Sequence, residues 1–255
     1  MTKFRMSNVS RHRRTDTLEW FYNEWHGEHV EIMRRSPGVM KLVRRYVQNR
    51  ALHDESLPNP PLPLAPEGWD AMSQLTFDSC QAFIDTFGDA DYIANVRGHL
   101  LSDPSTVVTV LTEDETVIDG IVNDPAVKAV LFYQLRETES QEDFETQWVN
   151  GFARDLTEGQ PILRHVRNRV TGVVDSNVFK ETRWDGVVMN EFTAYDELWF
   201  ENRSALRDFL TDPRVGNAVD SLNQAFLTSR SFTYLCREIV QIDSLETAFG
   251  WQVPN

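Results

Sequence analysis

Residues 45–49, RYVQN, return in the second half of the chain as RHVRN at residues 164–168. Four other pairs of segments recur in the same order. They are Phe21-x3-Trp25 with Phe144-x3-Trp148, Trp69-Asp70-Ala71 with Trp184-Asp185-Gly186, residues 77–87 (FDSCQAFIDTF) with 200–210 (FENRSALRDFL), and 107–117 (VVTVLTEDETV) with 231–241 (SFTYLCREIVQ). A repeat that keeps its order through both halves indicates a duplicated structural unit.

Each half follows the pattern strand, helix, strand, strand, helix, strand. One helix face in the first half is marked by residues three or four positions apart: Leu18, Phe21, Trp25, His29 and Ile32. In the first half the predicted elements are strand 4–9, a helix ended by residues 36–38, strands 39–50 and 69–77, a helix capped at 78–79, and strand 106–111. In the second half they are strand 127–135, helix 141–156, strand 162–171, a strand ending at 199–200, a helix 204–227 broken at Pro213, and strand 231–241. We therefore expect one repeat at 1–120, a second at 121–242, and a tail, 243–255, that packs onto them.

A βαββαβ unit is a ferredoxin-like α+β fold, an antiparallel sheet with helices on one face. The other face needs a cover. Two fused repeats can cover each other, so the sequence predicts a pseudo-dimeric α+β barrel that a monomer already completes. Further homo-oligomers would use its outer surfaces. The space between the sheets is expected to be a mostly apolar ligand cavity.

Composition narrows the class of protein. The formal net charge of −14 argues against a nucleic-acid partner, because phosphate binding requires basic surface. No apolar run is long enough to cross a membrane, and no apolar segment follows the basic start as a signal peptide requires. The two cysteines, Cys80 and Cys236, are far apart and expected to be reduced. These features predict a cytoplasmic protein with no membrane partner.

The motifs Phe21-x3-Trp25-x3-His29 and Tyr46-Val47-Gln48-Asn49, with Trp69-Asp70 leading a strand that ends at 77–79, resemble the EthD family of the dimeric α+β barrel superfamily. The resemblance extends over roughly 3–117 and, more loosely, 127–241. It implies a cofactor-independent enzyme or an accessory protein. The wider superfamily includes polyketide cyclases, lactone isomerases, decarboxylases, quinol-forming monooxygenases and haem-degrading proteins, so the fold alone does not choose a reaction.

The sequence departs from the family pattern in both halves. His29 is followed by Val30-Glu31, where the family has Gly-Pro or Ala-Pro. In the second half, Phe152 takes the histidine position and His165 the tyrosine position. The two halves have diverged, which suggests one working site instead of two equivalent ones.

Three residues are the candidate catalytic groups. His29 lies on the inward helix face and is expected to move a proton, since an imidazole titrates near neutral pH. Tyr46 and His165, at equivalent strand positions, are expected to polarise a substrate oxygen. A buried structural histidine, hydrogen-bonded to backbone or to Tyr46, is the alternative for His29.

The candidate substrate-binding residues lie on the same strands and at the start of each third strand. They are Trp25, Asn49, Trp69, Asp70, Asn168, Trp184 and Asp185. Alternating strand geometry puts Tyr46 and Gln48 on one face and Asn49 on the other, and either face could line the cavity. Each residue type has a structural alternative. The asparagines could form hydrogen bonds at strand ends, the aspartates could form turns where a strand begins, and the tryptophans could simply pack in the core.

Neither a metal nor any other cofactor is predicted. His26-Gly27-Glu28-His29 has histidines three apart with an intervening glycine, whereas zinc motifs of this type place them four apart on one helix face.

The functional hypothesis is a cofactor-independent lyase, isomerase or cyclase that acts on a small aromatic, lactone or polyketide-like substrate. A non-catalytic small-molecule-binding or accessory protein and a cofactor-free monooxygenase are the alternatives. The proline-rich loop at 51–68 is predicted to border the cavity mouth and to contribute Leu57, Leu62 or Leu64 to an apolar rim; a spacer draped over the outer surface is the alternative.

Overall fold

The computed structural model describes residues 3–65, 68–96, 99, 101–123, 126–171, 176–180 and 185–244. The first half contains β1 (Phe4–Ser10), α1 (Leu18–His26), α2 (Glu28–Arg34), α3 (Pro37–Leu42), β2 (Val43–Ala51), β3 (Ala71–Phe77), α4 (Cys80–Phe87), α5 (Ala90–Val96) and β4 (Val108–Ile118). The second half contains β5 (Val127–Tyr133), α6 (Gln141–Gln147), a π-helical turn (Trp148–Phe152), α7 (Ala153–Thr157), β6 (Ile162–Val170), β7 (Val188–Met189), β8 (Ala194–Phe200), α8 (Arg203–Thr211), α9 (Pro213–Phe226) and β9 (Phe232–Asp243).

Eight of these strands form a closed antiparallel barrel. Their order is β1-β3-β2-β9-β5-β8-β6-β4, and β4 pairs with β1 to close it. The halves meet where β2 pairs with β9 and where β4 pairs with β6. A single chain therefore builds the complete barrel, which confirms the predicted α+β fold of two fused repeats.

The strand registers make the two halves equivalent residue by residue. Phe4 pairs with Phe77 just as Val127 pairs with Phe200, so Arg5 corresponds to Lys128. The same register makes Trp69-Asp70, which directly precede β3, equivalent to Phe192-Thr193. The sequence match of Trp69-Asp70 with Trp184-Asp185 is therefore wrong, because Asp185 lies in a turn well before β8 begins.

Two helix boundaries differ from the prediction. The first long helix divides at Gly27, where a Cβ atom would come within 2.8 Å of the carbonyl oxygen of Asn23. Pro37 does not simply stop a helix but begins α3, because a proline at the first helical position lacks only an amide hydrogen that would be unpaired there. The predicted strand at 39–50 consequently begins at Val43. The break at Pro213 is confirmed, with Asp212 capping α9.

The outer face of each sheet packs against its own helices. In the first half Phe21 stacks on Trp25 with ring centroids 5.7 Å apart, and in the second Phe144 stacks on Trp148 at 5.8 Å. The two aromatic pairs are the ones that the sequence repeat aligned, and they hold equivalent helices against equivalent strands.

The barrel interior is filled, as the width of an eight-stranded barrel predicts. At one end Phe132 and Phe232 stack at 4.7 Å, with Phe192, Tyr195 and Trp69 around them. We call this the apolar end. Towards the opposite, charged end lie Arg5, Lys128 and Glu197, all buried. The expectation of one mostly apolar cavity between the sheets is therefore wrong, since aromatic rings and ion pairs occupy that space.

The long connection in each half packs on the other half. Leu62, from the connection between β2 and β3, is buried in the helical core of the second half. Phe179, from the connection between β6 and β8, is buried in that of the first half against Phe83 and Phe87.

The proline-rich connection is thus held against the second half. Pro63 and Leu62 accept hydrogen bonds from Thr233, and Asp54 pairs with Arg203 at 2.7 Å. This placement agrees with the alternative of a segment laid over the outer surface. The second-half connection, from 171 to 193, is longer than its counterpart from 52 to 70.

The tail beyond Ser244 lies outside the described residues. Along the part of the chain that the structure describes, no helix combines the length and apolar character that a membrane crossing requires.

Candidate active site

Three histidines gather between the first-half helices and the outer face of β2. His26 ends α1, His29 lies in the first turn of α2, and His99 follows α5. Because Gly27 lets the chain change direction, both helical histidines face Tyr46 and Gln48 of β2. We call His26, His29, His99, Tyr46 and Gln48 the histidine cluster.

Gln48 connects the members of the cluster. Its Nε2 donates to the carbonyl oxygen of Trp25 at 2.6 Å and to the hydroxyl of Tyr46 at 2.9 Å. A carbonyl oxygen only accepts, so the amide orientation is fixed and Gln48 Oε1 must be the acceptor on the other side. That oxygen lies 2.6 Å from Nδ1 of His26.

This contact fixes the tautomer of His26. Nδ1 carries the hydrogen and donates it to Gln48, so the lone pair of the neutral ring is on Nε2. Nε2 is buried and has no hydrogen-bond partner among the residues that the structure describes. Burial lowers the pKa of His26, and the hydrogen bond to Gln48 only partly opposes this effect. His26 is consequently a neutral base at neutral pH.

His29 lies deeper in the same cluster. It is buried, its ring centroid is 6.3 Å from that of Tyr46, and it stacks on His99 at 5.8 Å. His99 lies 3.5 Å from Glu24. The structure therefore brings the predicted catalytic pair His29 and Tyr46 together on the outer face of the sheet. Beside the cluster, the indole Nε1 of Trp25 donates a hydrogen bond to Oγ of Ser73 at 3.3 Å.

The equivalent region of the second half holds a buried carboxylate. Asp196, which replaces Ser73, accepts from His165 at 2.6 Å and from Tyr133 and Trp148 at 2.7 Å each. All four side chains are buried, and burial together with Asp196 raises the pKa of Tyr133 well above its ordinary value. Phe152, in the position of His29, packs edge-on to Tyr133. His165 is therefore far from Tyr46 and is held by Asp196.

The predicted asparagines face the barrel interior. Asn49 donates to Gln74 at 2.9 Å, and its equivalent Asn168 donates to Glu197 at 3.0 Å. Glu197 also accepts from Lys128 at 2.7 Å and pairs with Arg5. Burial alone would raise the pKa of Glu197, but Lys128 and Arg5 outweigh it and lower that pKa to about 2. The asparagines thus belong to a buried ion network, separated by the sheet from the histidine cluster.

Asp70 forms a third group with two further histidines. Its Oδ2 lies 2.6 Å from Nδ1 of His12, and Oδ1 lies 3.5 Å from Nε2 of the exposed His53. Trp69, its neighbour, donates to the carbonyl oxygen of Thr106 at 2.8 Å and packs on Phe232 at the apolar end. Both residues are thus placed at the mouth of the barrel. Trp184 lies outside the described residues.

Sequence reasoning missed His26, His99 and Gln48. In the sequence His26 stands out only within a zinc-like pattern, and alternation along the strand of its partner Gln48 does not show which side faces the helices. Six histidines, five of them in the first half, were the available signal. Within the described ranges, no three His, Cys, Asp or Glu side chains are grouped to hold a metal ion.

Comparison with known proteins agrees with the fold. Residues 14–99 match the model of the EthD domain, whereas no curated protein matches the chain significantly. A "putative monooxygenase" from Lactobacillus acidophilus NCFM has a TM-score of 0.51 at 9% identity, over 96% of this chain and 97% of its own. A "putative monooxygenase" from Fusobacterium nucleatum reaches 0.54 at 5% identity, over 94% and 93%. An anthrone oxidase-like protein reaches 0.53 at 10% identity, over 95% of each chain.

These comparisons correct the first functional hypothesis. The similar structures are named as monooxygenases or as an oxidase-like protein, so the prediction of a lyase, isomerase or cyclase is wrong. At such low identity the likeness itself shows the barrel fold alone. The resemblance read from the first-half motifs is confirmed: residues 14–99 match the model of the EthD domain, and they lie in the first half of a single-chain α+β barrel.

Proposed function

We propose that the protein is an enzyme, a cofactor-independent monooxygenase or oxidase that deprotonates an electron-rich aromatic substrate at the histidine cluster. The observation that carries this proposal is His26, a neutral imidazole whose tautomer is fixed by Gln48 and whose buried Nε2 is open to accept a proton. The names of the similar structures support the reaction class.

Such a reaction needs little more from the protein than a base and a dry site. Removing a proton from an activated carbon gives a carbanion that transfers an electron to O2, and the two radicals combine to a peroxide. Protonation of the peroxide and loss of water leave a carbonyl. For anthrone the balance is one methylene group and one dioxygen molecule converted to one carbonyl group and one water molecule, with dioxygen as the oxidant.

The cluster supplies the proton transfers in both directions. Nε2 of His26 takes the proton from the substrate carbon, and the imidazolium returns it to the peroxide. The lowered pKa of His26 keeps the base neutral before reaction. Tyr22 and Trp25, whose rings lie 6.0 and 5.1 Å from that of His26, provide aromatic walls for a flat substrate.

His29 and Tyr46 remain candidates for substrate contact in this proposal. His29 stacks on His99 and faces Tyr46, which Gln48 links to His26. A polarised oxygen on the substrate would lie on this side of the cluster, while the reacting carbon faces His26.

The test is oxygen consumption with anthrone as the probe, corrected for its spontaneous oxidation, together with the absorbance of anthraquinone. We expect His26→Gln to lower kcat about 10²–10⁴-fold, the usual contribution of a general base. His53→Gln, the same exchange at an exposed position outside the cluster, should leave turnover unchanged.

Two results would contradict the proposal. Loss of turnover in His29→Gln with an unchanged His26→Gln would make His29 the base. Saturable binding of anthrone without oxygen uptake by the wild-type protein would indicate the binding-protein alternative.

A further inference from the structure

A cavity of about 620 Å³ opens at the charged end of the barrel, and its lining residues include no member of the histidine cluster. Basic side chains outnumber acidic ones in its lining. Its charged lining residues are Lys3, Arg5, Arg45, Arg164, Arg167 and Arg169, with Glu113, Asp114 and Glu115. A chain with a net charge of −14 thus carries a locally basic cavity.

A second cavity, of about 440 Å³, adjoins the first. Arg45 and Arg164 line both, and the second also contains Lys128, Trp199 and Glu238. Arg45 and Arg164 occupy equivalent positions near the start of β2 and β6, so the pseudo-twofold symmetry of the barrel brings two guanidinium groups to one mouth.

The ion pairs at this mouth leave two lining cations, Lys3 and Arg164, without a carboxylate partner among the described residues. Arg5 pairs with Asp114 at 2.6 Å, Arg167 with Glu115 at 3.3 Å, and Arg45 with both Glu238 and Asp243 at 2.9 Å. Arg164, by contrast, pairs with no carboxylate in the described part of the chain. Its Nε, like those of Arg5, Arg45 and Arg167, is buried without a hydrogen-bond acceptor there, and its guanidinium lies 5.5 Å from the ring centroid of Trp199.

This arrangement leaves Arg164 suited to a planar anion. A guanidinium stacked on an indole ring keeps its in-plane donors available, and those donors match the two oxygens of a carboxylate. Buried donors without acceptors cost free energy, which a bound anion would recover. Trp148 and Trp199 add aromatic surface to the two cavities.

We propose that the charged mouth is a binding site for a small aromatic carboxylate, held by the guanidinium of Arg164 with Arg45 beside it. The site is independent of turnover at the histidine cluster, because the two share no lining residue. Its failure and the failure of the oxygenase proposal are therefore distinguishable.

The experiment is calorimetric titration of the full-length protein with sodium benzoate and, separately, with inorganic phosphate. We expect saturable benzoate binding that weakens at least tenfold in Arg164→Gln. Arg164→Lys, which keeps the charge but loses the planar pair of donors, should bind with intermediate affinity. Arg230→Gln removes the same charge near the apolar end, where Arg230 pairs with Glu191, and should bind like the wild type.

Thermal unfolding of each variant checks that the fold is intact, and Arg164→Lys serves if Arg164→Gln does not fold. Absence of saturable benzoate binding in the wild type would overturn the proposal, as would unchanged affinity in both Arg164 variants. Phosphate binding as tight as benzoate would refute the assignment to an aromatic carboxylate.

Discussion

The outer faces of the two sheets began as copies and now hold opposite kinds of polar group. The first half has the histidine cluster, in which His26 presents a buried base linked through Gln48 to Tyr46. The second has Asp196, saturated by three donors. Nδ1 of His165, like Nε2 of His26, is buried without a hydrogen-bond partner among the described residues, so the two halves differ in the group that holds the imidazole: an amide for His26 and a carboxylate for His165. In our proposal the first half carries the chemistry and the second half is structural.

The barrel interior has diverged less. Arg5 is equivalent to Lys128, and Gln74 is equivalent to Glu197. Asn49 donates a hydrogen bond to Gln74 just as Asn168 donates one to Glu197. Gln74 donates to Glu197 across the centre at 3.0 Å. Because these side chains contact one another, removing one of them would leave a buried group unpaired.

The largest expected effect comes from breaking the second-half network. Asp196→Ala should destabilise the protein by about 3–5 kcal/mol, because it leaves buried donors from His165, Tyr133 and Trp148 without an acceptor. Ser73→Ala, the equivalent exchange in the first half, should cost only about 0.5–1.5 kcal/mol. Urea unfolding measures both, and similar losses would remove the contrast between the halves.

A second test exchanges the residues at the position of His29. Phe152→Ala should destabilise by about 3–5 kcal/mol through lost packing, without a direct effect on chemistry. His29→Ala should instead lower turnover more than stability. Parallel measurements of unfolding and of oxygen uptake separate the two outcomes, and equal loss of turnover in both variants would contradict a single working site.

A third test addresses the interior network through pH. Because the pKa of Glu197 falls from its unfolded value near 4.5 to about 2 on folding, this carboxylate contributes stability above pH 4.5 that is lost as the pH falls towards 2. Glu197→Gln, which copies Gln74, should lose stability at neutral pH and show a shallower decline below pH 4.5. A wild-type decline no steeper than that of the variant would contradict the charged network.

The smallest effect is a displacement of the pH–rate profile. Turnover requires neutral His26, whose pKa is lowered by burial, so kcat should rise with pH through a value below 6.5 and be constant above neutrality. Gln48→Leu removes the acceptor that opposes this lowering and fixes the tautomer. It should reduce kcat and move the profile further towards acid, and an unmoved profile would argue against the role of Gln48.

The sequence was sufficient for the barrel because the repeat is a long-range pattern that survives local change. It was insufficient for the site. Alternation along β2 shows that Tyr46 and Asn49 lie on opposite faces of the sheet, but it does not show which of these faces packs against the helices. His26 drew no functional interpretation because its importance depends on Gln48, twenty-two residues away, and on a helix break at Gly27. The burial of Leu62 and Phe179 could not be predicted from the sequence for the same reason, since each packs in the core of the other half.

The exchange of those two connections has a consequence for how the molecule comes apart. Each half contributes part of the other's core, so neither should fold when expressed alone. Cleavage of the segment between β4 and β5 should nevertheless leave the two fragments bound to each other. The two long connections and the two strand pairings between the halves hold them together without the peptide bond. The covalent link between the halves then serves mainly to keep them at equal stoichiometry and at a high local concentration. Two intact molecules at high concentration could trade halves, giving an intertwined pair of barrels identical in every local contact to the single one.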